Sequence, residues 1–422
     1  MLDLWLGQVK GKQAVQDGPG LAALLAPDLT QTFLTLNQSL NNTPSLRPAS
    51  FTSHTRSFFP EYRPFADFLA AFLLLVRDGN LEADDVEGLE ATYQLVEDCF
   101  RQADKVFAQG DTGWFVPTLR QLTRRLIDLG LRAGRRAGDT KLTKAGEAAR
   151  MLGRPMGIAA SDRSSDSPSK KDALFFLANS TFKVYFAMSN LRLCDTILNN
   201  TQNAAVSLDS SYPKSDRVAF TYYRGRLFLY QRRLPQARAA LQKAFKLCQV
   251  ENWGNGRLIL IYLIAASLPL GIFPSLSLLQ EFDLDDQYSA LLAALKLGDF
   301  NTVLSELHRH MSWHLKKGNY LLLKEKLEVI CWRNLARRTL FVVTKGRPQP
   351  PTGPPTLSLH ALVTTARIAF SDPSLDVDDV ESMCSSLMDQ GYIKAYIMHS
   401  KRLLVLQKGD AYGFPRIASV NT

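Results

Sequence analysis

A chain of 422 residues, 46% hydrophobic and 21% charged, is long enough for two or three folded units and too apolar to be disordered. Its formal net charge of +10 favours acidic partners, whether nucleic acid, an acidic protein or an anionic surface, without choosing among them. Five scattered cysteines (Cys99, Cys194, Cys248, Cys331 and Cys384), never spaced as C-x-x-C, argue against a disulfide framework and a zinc finger and fit a reducing compartment.

The first ten residues lack a basic stretch followed by an apolar run, so a secretory signal is not expected. Residues 41–60 are rich in turn formers and are expected to be irregular. Residues 65–76 and 90–107 are strongly apolar runs, and residues 114–131 are amphipathic, so the first part of the chain reads as helical. Two segments read as linkers: the Ser-rich residues 157–171 and the Pro/Gly-rich residues 346–355, whose composition is hostile to helix and to a central strand.

Between the linkers the pattern is clearest. Phe220, Tyr223, Leu227 and Tyr230 fall on one helical face, a break follows at residues 231–234, and Ala237, Leu241, Ala244, Phe245 and Cys248 line a second face. Gly225 and Ala237 are small where two antiparallel helices would touch, a spacing like that of a tetratricopeptide unit. Residues 258–273 are the most apolar stretch. At fewer than the roughly 20 residues of a bilayer crossing, and interrupted by Pro269, they read as a buried core helix. A helix should end at Gly298 and restart with Asp299 as N-cap, with Val303, Leu307 and Met311 on one face. Another pair should begin at Lys317-Gly318-Asn319-Tyr320 and bury Leu323, Leu327, Ile330 and Leu335. After the second linker, residues 357–370 and 377–389 read as helices. Residues 392–398 and 403–407 read as β-strands joined by the polar loop 399–402. Helices followed by a two-stranded wing describe a winged helix. The expected organisation is therefore an N-terminal helical region (1–156), a linker (157–171), helical repeats (172–345), a linker (346–355), a winged helix (356–410) and a tail (411–422).

Signs of catalysis are few. The sequence has no phosphate-binding Gly-rich loop, no G-x-S-x-G elbow and no nucleophile with a visible base. His308, His310 and His314 form the only histidine cluster. On one helix Glu306, His310 and His314 would share a face that could bind zinc, but a fourth ligand is lacking and a solvated surface is the simpler reading. An isopeptidase pattern fails because Leu321 stands where its Asp belongs. Asp283, Asp285 and Asp286 lack the spacing of a calcium loop and suit a helix N-terminus. No cofactor, metal or catalytic residue is expected.

Basic clusters carry the remaining signal. Residues 120–154 hold ten Lys/Arg against three acids, which suits a solvated helix and a binding surface equally. Arg333, Arg337, Arg338, Lys345 and Arg347 form a second group, and Lys394, Lys401, Arg402 and Lys408 a third. Both flank the winged helix and are the candidate contacts to nucleic acid or an acidic partner. Residues 376–390 hold five acids and no Lys or Arg, so this helix should repel phosphate and not read bases. Nucleic acid would lie along the wing loop and the Arg333–Arg347 region without sequence choice.

Several stretches occur in the order seen in the PCI-domain family: Asp162-Arg163 with Ser169-Lys170-Lys171, Phe182-Lys183-Val184-Tyr185-Phe186, and Tyr222-Tyr223-Arg224-Gly225-Arg226-Leu227. They continue through residues 257–263, Lys317-Gly318-Asn319-Tyr320, Arg333-Asn334-Leu335 and residues 391–397. The chain resembles this family over roughly residues 110–410, and most resembles the branch of the fungal signalosome subunit twelve and the nuclear-pore mRNA-export scaffold. It departs at Ala173-Leu174, where a Trp-Gly pair is usual, and at Ala395, where a second Gly is common. The resemblance implies an all-α fold, a right-handed superhelix of TPR-like helix pairs ending in a winged-helix module. It implies a non-catalytic scaffold in the nucleus, with the cytoplasm also open to it. The implied partners are a Sac-type (GANP-like) PCI protein, a small acidic Sem-type subunit, and RNA or DNA without strong sequence preference, with no membrane. The alternative is a signalosome-associated PCI subunit used only for protein assembly.

Overall fold

The computed structural model describes residues 2–42, 48–164, 168–204, 206–208, 211–346, 353–409 and 411–420. They form two compact units, Met1–Tyr223 and Arg224–Thr422, and the division falls inside a helix rather than at either expected linker.

The first unit is helical: α1 (Leu2–Ala14), α2 (Gly18–Leu24), α3 (Gln31–Asn41), α4 (Pro48–Phe58), α5 (Arg63–Asp78), α6 (Val86–Phe107), α7 (Val116–Arg136), α8 (Thr143–Met151), α9 (Gly153–Ser161), α10 (Leu174–Ala187) and α11 (Arg192–Asn203). α12 (Lys214–Tyr230) carries the chain into the second unit. The apolar runs of α5 and α6 pack on each other and on α7. Phe65, Phe68 and Phe72 of α5 meet Trp114, Phe115 and Trp5 in edge-on and stacked contacts 5.3–6.0 Å between ring centres. Each fully buried Leu or Phe here contributes roughly 1.5–3 kcal/mol relative to exposure.

Two expectations are corrected in this unit. The segment expected to be irregular contains α4, because Phe51 and Phe59 are buried and packing against α5 outweighs the weak helix propensity of its Ser and Thr residues. The Thr55 hydroxyl returns to the Phe51 carbonyl at 2.9 Å. The Ser-rich segment is not linker throughout either. α9 runs to Ser161, and Asp162 then gathers the Ser164 amide, the Ser169 hydroxyl and the Lys170 amide at 2.8–3.2 Å. Ser169 and Asp172 complete a capping box that starts the approach to α10. Residues 165–167 lie outside the described residues.

The second unit continues with α13 (Leu234–Leu247), α14 (Trp253–Ser267), α15 (Leu276–Glu281), α16 (Asp285–Leu297), α17 (Phe300–Arg309), α18 (Met311–Lys317) and the long α19 (Tyr320–Val343). The expected pairing is present. Gly225 lies against α13 so closely that a Cβ there would come within 2.6 Å of Leu241 Cγ, and Ala237 is fully buried. Trp253–Leu270 is long and apolar enough to cross a membrane, but most of it is buried in the unit, as the core helix expected from the sequence. Gly298 ends α16 with φ +83°, and Asp299 caps α17 through the Thr302 amide. The face through Met311 is not continuous: the helix breaks at His310, and Met311 is 39% exposed.

The turn before α19 rests on a buried polar group. Gly318 adopts φ +71°, which lets the Asn319 side chain fold inward, where its Oδ1 lies 3.0 Å from His314 Nδ1. Leu323, Leu327, Ile330 and Leu335 of α19 are buried as expected.

The module after the second linker comprises β1 (Thr356–Ser358), α20 (Leu359–Ala369), α21 (Val377–Asp389), β2 (Ala395–Met398) and β3 (Leu403–Leu406). The first helix starts later than expected because residues 356–358 form an edge strand instead. They pair antiparallel with β3, and the Leu406 amide bonds the Pro355 carbonyl. The sheet order is β1-β3-β2, with Ala395 opposite Leu406 and Met398 opposite Leu403. Helices backed by this small sheet make an all-α fold with a winged-helix end. Arg402 takes the left-handed conformation, φ +52°, at the tip of the wing.

A Cβ at position 298 would meet the Leu335 backbone nitrogen at 2.5 Å in a left-handed backbone. Gly298→Ala is expected to lower the urea unfolding free energy by about 2–4 kcal/mol, whereas the same change at exposed Gly254 should cost nothing measurable.

Candidate nucleic-acid interface

The residues expected to meet an anion fall into three situations. Arg337 and Arg338 project from the last two turns of α19 into solvent, and the Arg337 guanidinium lies 4.9 Å from the centre of the Phe341 ring. Lys345 follows the helix, exposed, with φ +51°. Lys394, Lys401 and Lys408 are exposed around the sheet. These six cations form the accessible set. Arg347 lies outside the described residues.

Arg333 is different. It is buried, and its Nη2 donates to the Pro415 carbonyl at 2.9 Å and the Phe414 carbonyl at 3.3 Å. Its guanidinium lies 5.6 Å from the centre of the Phe414 ring. Burial, with Arg337 nearby, pushes its pKa down to about 10. Arg333 therefore anchors the C-terminal segment and is removed from the expected phosphate-binding set. The tail gave no sequence signal for this role, because its partners are backbone carbonyls. Phe414 and Ile417 are buried, and Ile417 packs over Gly271.

Arg402 is also engaged. Its Nη1 lies 2.7 Å from Asp378 and 3.5 Å from Glu381, both on α21, and His399 Nδ1 lies 2.8 Å from Glu381. The hydrogen bond it donates to Asp378 raises the already high Arg402 pKa. The wing and the acidic helix thus neutralise each other. The remaining acids at the start of α21 are structural: the Asp376 carboxylate accepts from the Asp378 and Asp379 amides, and the Asp379 carboxylate accepts from the Asp376 amide. Those amide bonds hold the Asp376 carboxyl below its usual range. An acidic α21 remains unsuited to phosphate, and the free cations lie beside it rather than on it.

Most of the basic residues 120–154 are internally satisfied. Arg120 makes a bidentate pair with buried Asp216, at 2.7 and 3.0 Å, and lies over the Phe176 ring with Arg124. Arg125 donates to Asp28, Arg136 to Asp84 and Arg154 to Asp104, each at 2.7–2.9 Å. Arg132 bonds the Ala83 carbonyl, and Lys144 lies 3.0 Å from Glu90. The cluster holds the helices of the first unit together.

The histidine cluster does not assemble as a single helical face. His310 occupies the break between α17 and α18, while His314 is wholly buried against Tyr288 and Trp313. Among the described residues no group of three His, Cys, Asp or Glu could hold a metal ion. Burial lowers the His314 pKa from its ordinary 6.5, partly opposed by the Asn319 hydrogen bond.

Comparison with known proteins is informative. No family model matches the chain. A PCI domain-containing protein of Schizosaccharomyces pombe is 34% identical over 341 residues, covering 78% of this chain and 76% of that protein. PCI domain-containing protein 2 of Xenopus laevis is 28% identical over 85% of this chain and 86% of its own length. The enhanced ethylene response protein 5 of Arabidopsis thaliana is 29% identical over 59% of this chain and 58% of its length.

Two outcomes follow from this geometry. Arg333→Met should cost about 2–3 kcal/mol by leaving buried carbonyls unpaired, and chymotrypsin should then cleave rapidly after Tyr412 in the released tail. Burial favours neutral His314 in the folded chain, whereas the unfolded chain takes up its proton near pH 6.5. Its contribution is therefore complete above pH 6.5 and is lost as the pH falls. Denaturant titrations from pH 7 to 5 should show a decline that is shallower in His314→Asn, by up to about 1.4 kcal/mol per pH unit.

Proposed function

This chain belongs to the PCI-domain family, and from that premise we propose that it is a non-catalytic scaffold of a nuclear complex coupling transcription to mRNA export. It joins a Sac-type PCI protein and a small acidic Sem-type subunit, and the assembly holds RNA or DNA by shape and charge. The observation that carries the reading is the exposed set Arg337, Arg338, Lys345, Lys394, Lys401 and Lys408 around a winged helix whose acids in the first turns of α21 are engaged by Arg402, His399 and the helix cap. Phosphates neutralised by such cations release counterions, which favours binding at low salt. The apolar side chains exposed on the same module, Ile368 at 76% and Tyr396 at 57%, suit a protein partner.

A second reading keeps the module for protein assembly alone, as in a signalosome-associated subunit. It draws on the α21 acids, which disfavour groove binding by that helix.

Affinity purification of the full chain should recover a second PCI protein and a small, strongly acidic chain in constant ratio. The purified assembly should bind single-stranded RNA with an affinity that falls steeply with salt. Changing Arg337, Arg338 and Lys401 together to Glu should lower the salt slope by about 2, near 0.7 per lost contact, without altering the melting temperature. Recovery of the protein partners with no RNA binding at low salt would leave only the second reading.

A further inference from the structure

The second unit carries another basic surface, and most of its cations lack the paired acids found around residues 120–154. Between residues 224 and 250 the chain has Arg224, Arg226, Arg232, Arg233, Arg238, Lys243 and Lys246 and no Asp or Glu. These residues lie on the end of α12, on the tight turn at residues 231–233, and on α13. The two helices are brought together by Gly225 against Leu241.

Arg232 reaches Glu325 at 3.0 Å, and Arg226 lies over the Tyr262 ring at 4.4 Å. Among the described residues no carboxylate pairs with Arg224, Arg233, Arg238, Lys243 or Lys246. The Nε atoms of Arg224 and Arg238 are buried without a hydrogen-bond partner. Lys243 and Lys246 share the exposed stripe of α13 with Ala239. Burial alone lowers the Arg224 pKa, the sign of a guanidinium with no anion near it. Holding five cations together with no carboxylate paired to them is unfavourable in the isolated chain and is relieved by a bound polyanion.

One ring in the same place narrows the choice of polyanion. Tyr230, at the C-terminus of α12, is 64% exposed and follows Arg226 by one helical turn, with Arg232 and Arg233 just beyond it. An open aromatic face among guanidinium groups is the arrangement that holds an unpaired base while its phosphates are neutralised. A carboxylate-rich peptide would use the charges but gain no base stack, and a duplex would offer no unstacked base to the ring. We propose that the α12–α13 hairpin is a binding surface for single-stranded nucleic acid, with Tyr230 as a base-stacking platform and Arg233, Lys243 and Lys246 as phosphate contacts. The surface stands on its own charges and does not depend on the winged-helix rim binding anything.

The test uses the full chain and a fluorescein-labelled oligouridine of about 20 nucleotides, longer than a single stacking site, read by anisotropy. Arg233, Lys243 and Lys246 are exposed, so changing all three to Glu should leave the melting temperature unchanged. That variant should bind at least tenfold more weakly, with a salt slope lower by about 2. Tyr230→Ala should weaken binding about fivefold with the slope unchanged, the lower end for one lost base stack. The rim variant at Arg337, Arg338 and Lys401, measured in parallel, separates the two surfaces. Affinity within twofold of the parent in the folded hairpin variant would overturn the proposal. So would competition by polyglutamate as effective as that by unlabelled oligouridine, together with no effect of Tyr230→Ala, since the surface would then be one for acidic protein.

Discussion

The second unit depends on one helix being buried on two sides. α19 packs on α16, α17 and α18 with one face and on α20, α21 and β1 with the other. The contacts are specific. The Phe370 ring, at the end of α20, stacks on Trp332 of α19 at 4.1 Å and lies 5.1 Å from Phe300 of α17. Such ring pairs add about 0.5–1.5 kcal/mol beyond the area they bury. Thr339 and Thr365 share a hydrogen bond at 2.9 Å across the same seam, and Arg333 ties the tail to α19 from below. A helix of 24 residues packed on both faces makes the winged helix a continuation of the repeats rather than a tethered module. The rim cations on α19 and those on the sheet are thereby presented on one rigid body.

The location of the positive charge matters more than its amount. The chain carries +10 overall, yet its densest basic stretch, around α7 and α8, is matched by Asp28, Asp84, Asp104, Asp216 and Glu90 and serves the fold. The wing arginine is likewise matched, by α21. What remains without a paired carboxylate among the described residues is the set near the end of α19 and around the sheet, and Arg224, Arg233, Arg238, Lys243 and Lys246 of the α12–α13 hairpin. Charges already paired at 2.7–3.0 Å gain little from an outside anion, because binding would have to break an existing pair first.

Much of the fold was legible because it rests on local rules. The breaks at Gly298 and Gly318, the Asp299 cap, the α12–α13 turn and α21 all follow from glycine, cap residues and helical spacing. The misses share one cause, tertiary contact overriding local composition. α4 forms because Phe51 and Phe59 have a surface to bury against, and residues 356–358 become a strand because β3 offers them a partner. The site was less legible. A list of arginines does not distinguish Arg333, which holds carbonyls 81 and 82 residues away, from Arg337, which faces water. The hairpin cations escaped notice because they are spread over two helices and a turn, and which of them lack a paired carboxylate from elsewhere in the chain is visible only in three dimensions.

Hydrogen exchange followed by mass spectrometry tests the two-sided burial of α19 most directly. The account predicts that peptides from α19, α20 and β3 are protected together and lose protection at one common denaturant concentration. Exchange of α20 and β3 that is orders of magnitude faster than that of α19, with its own earlier transition, would contradict it, for the winged helix would then be an independent domain on a loose tether.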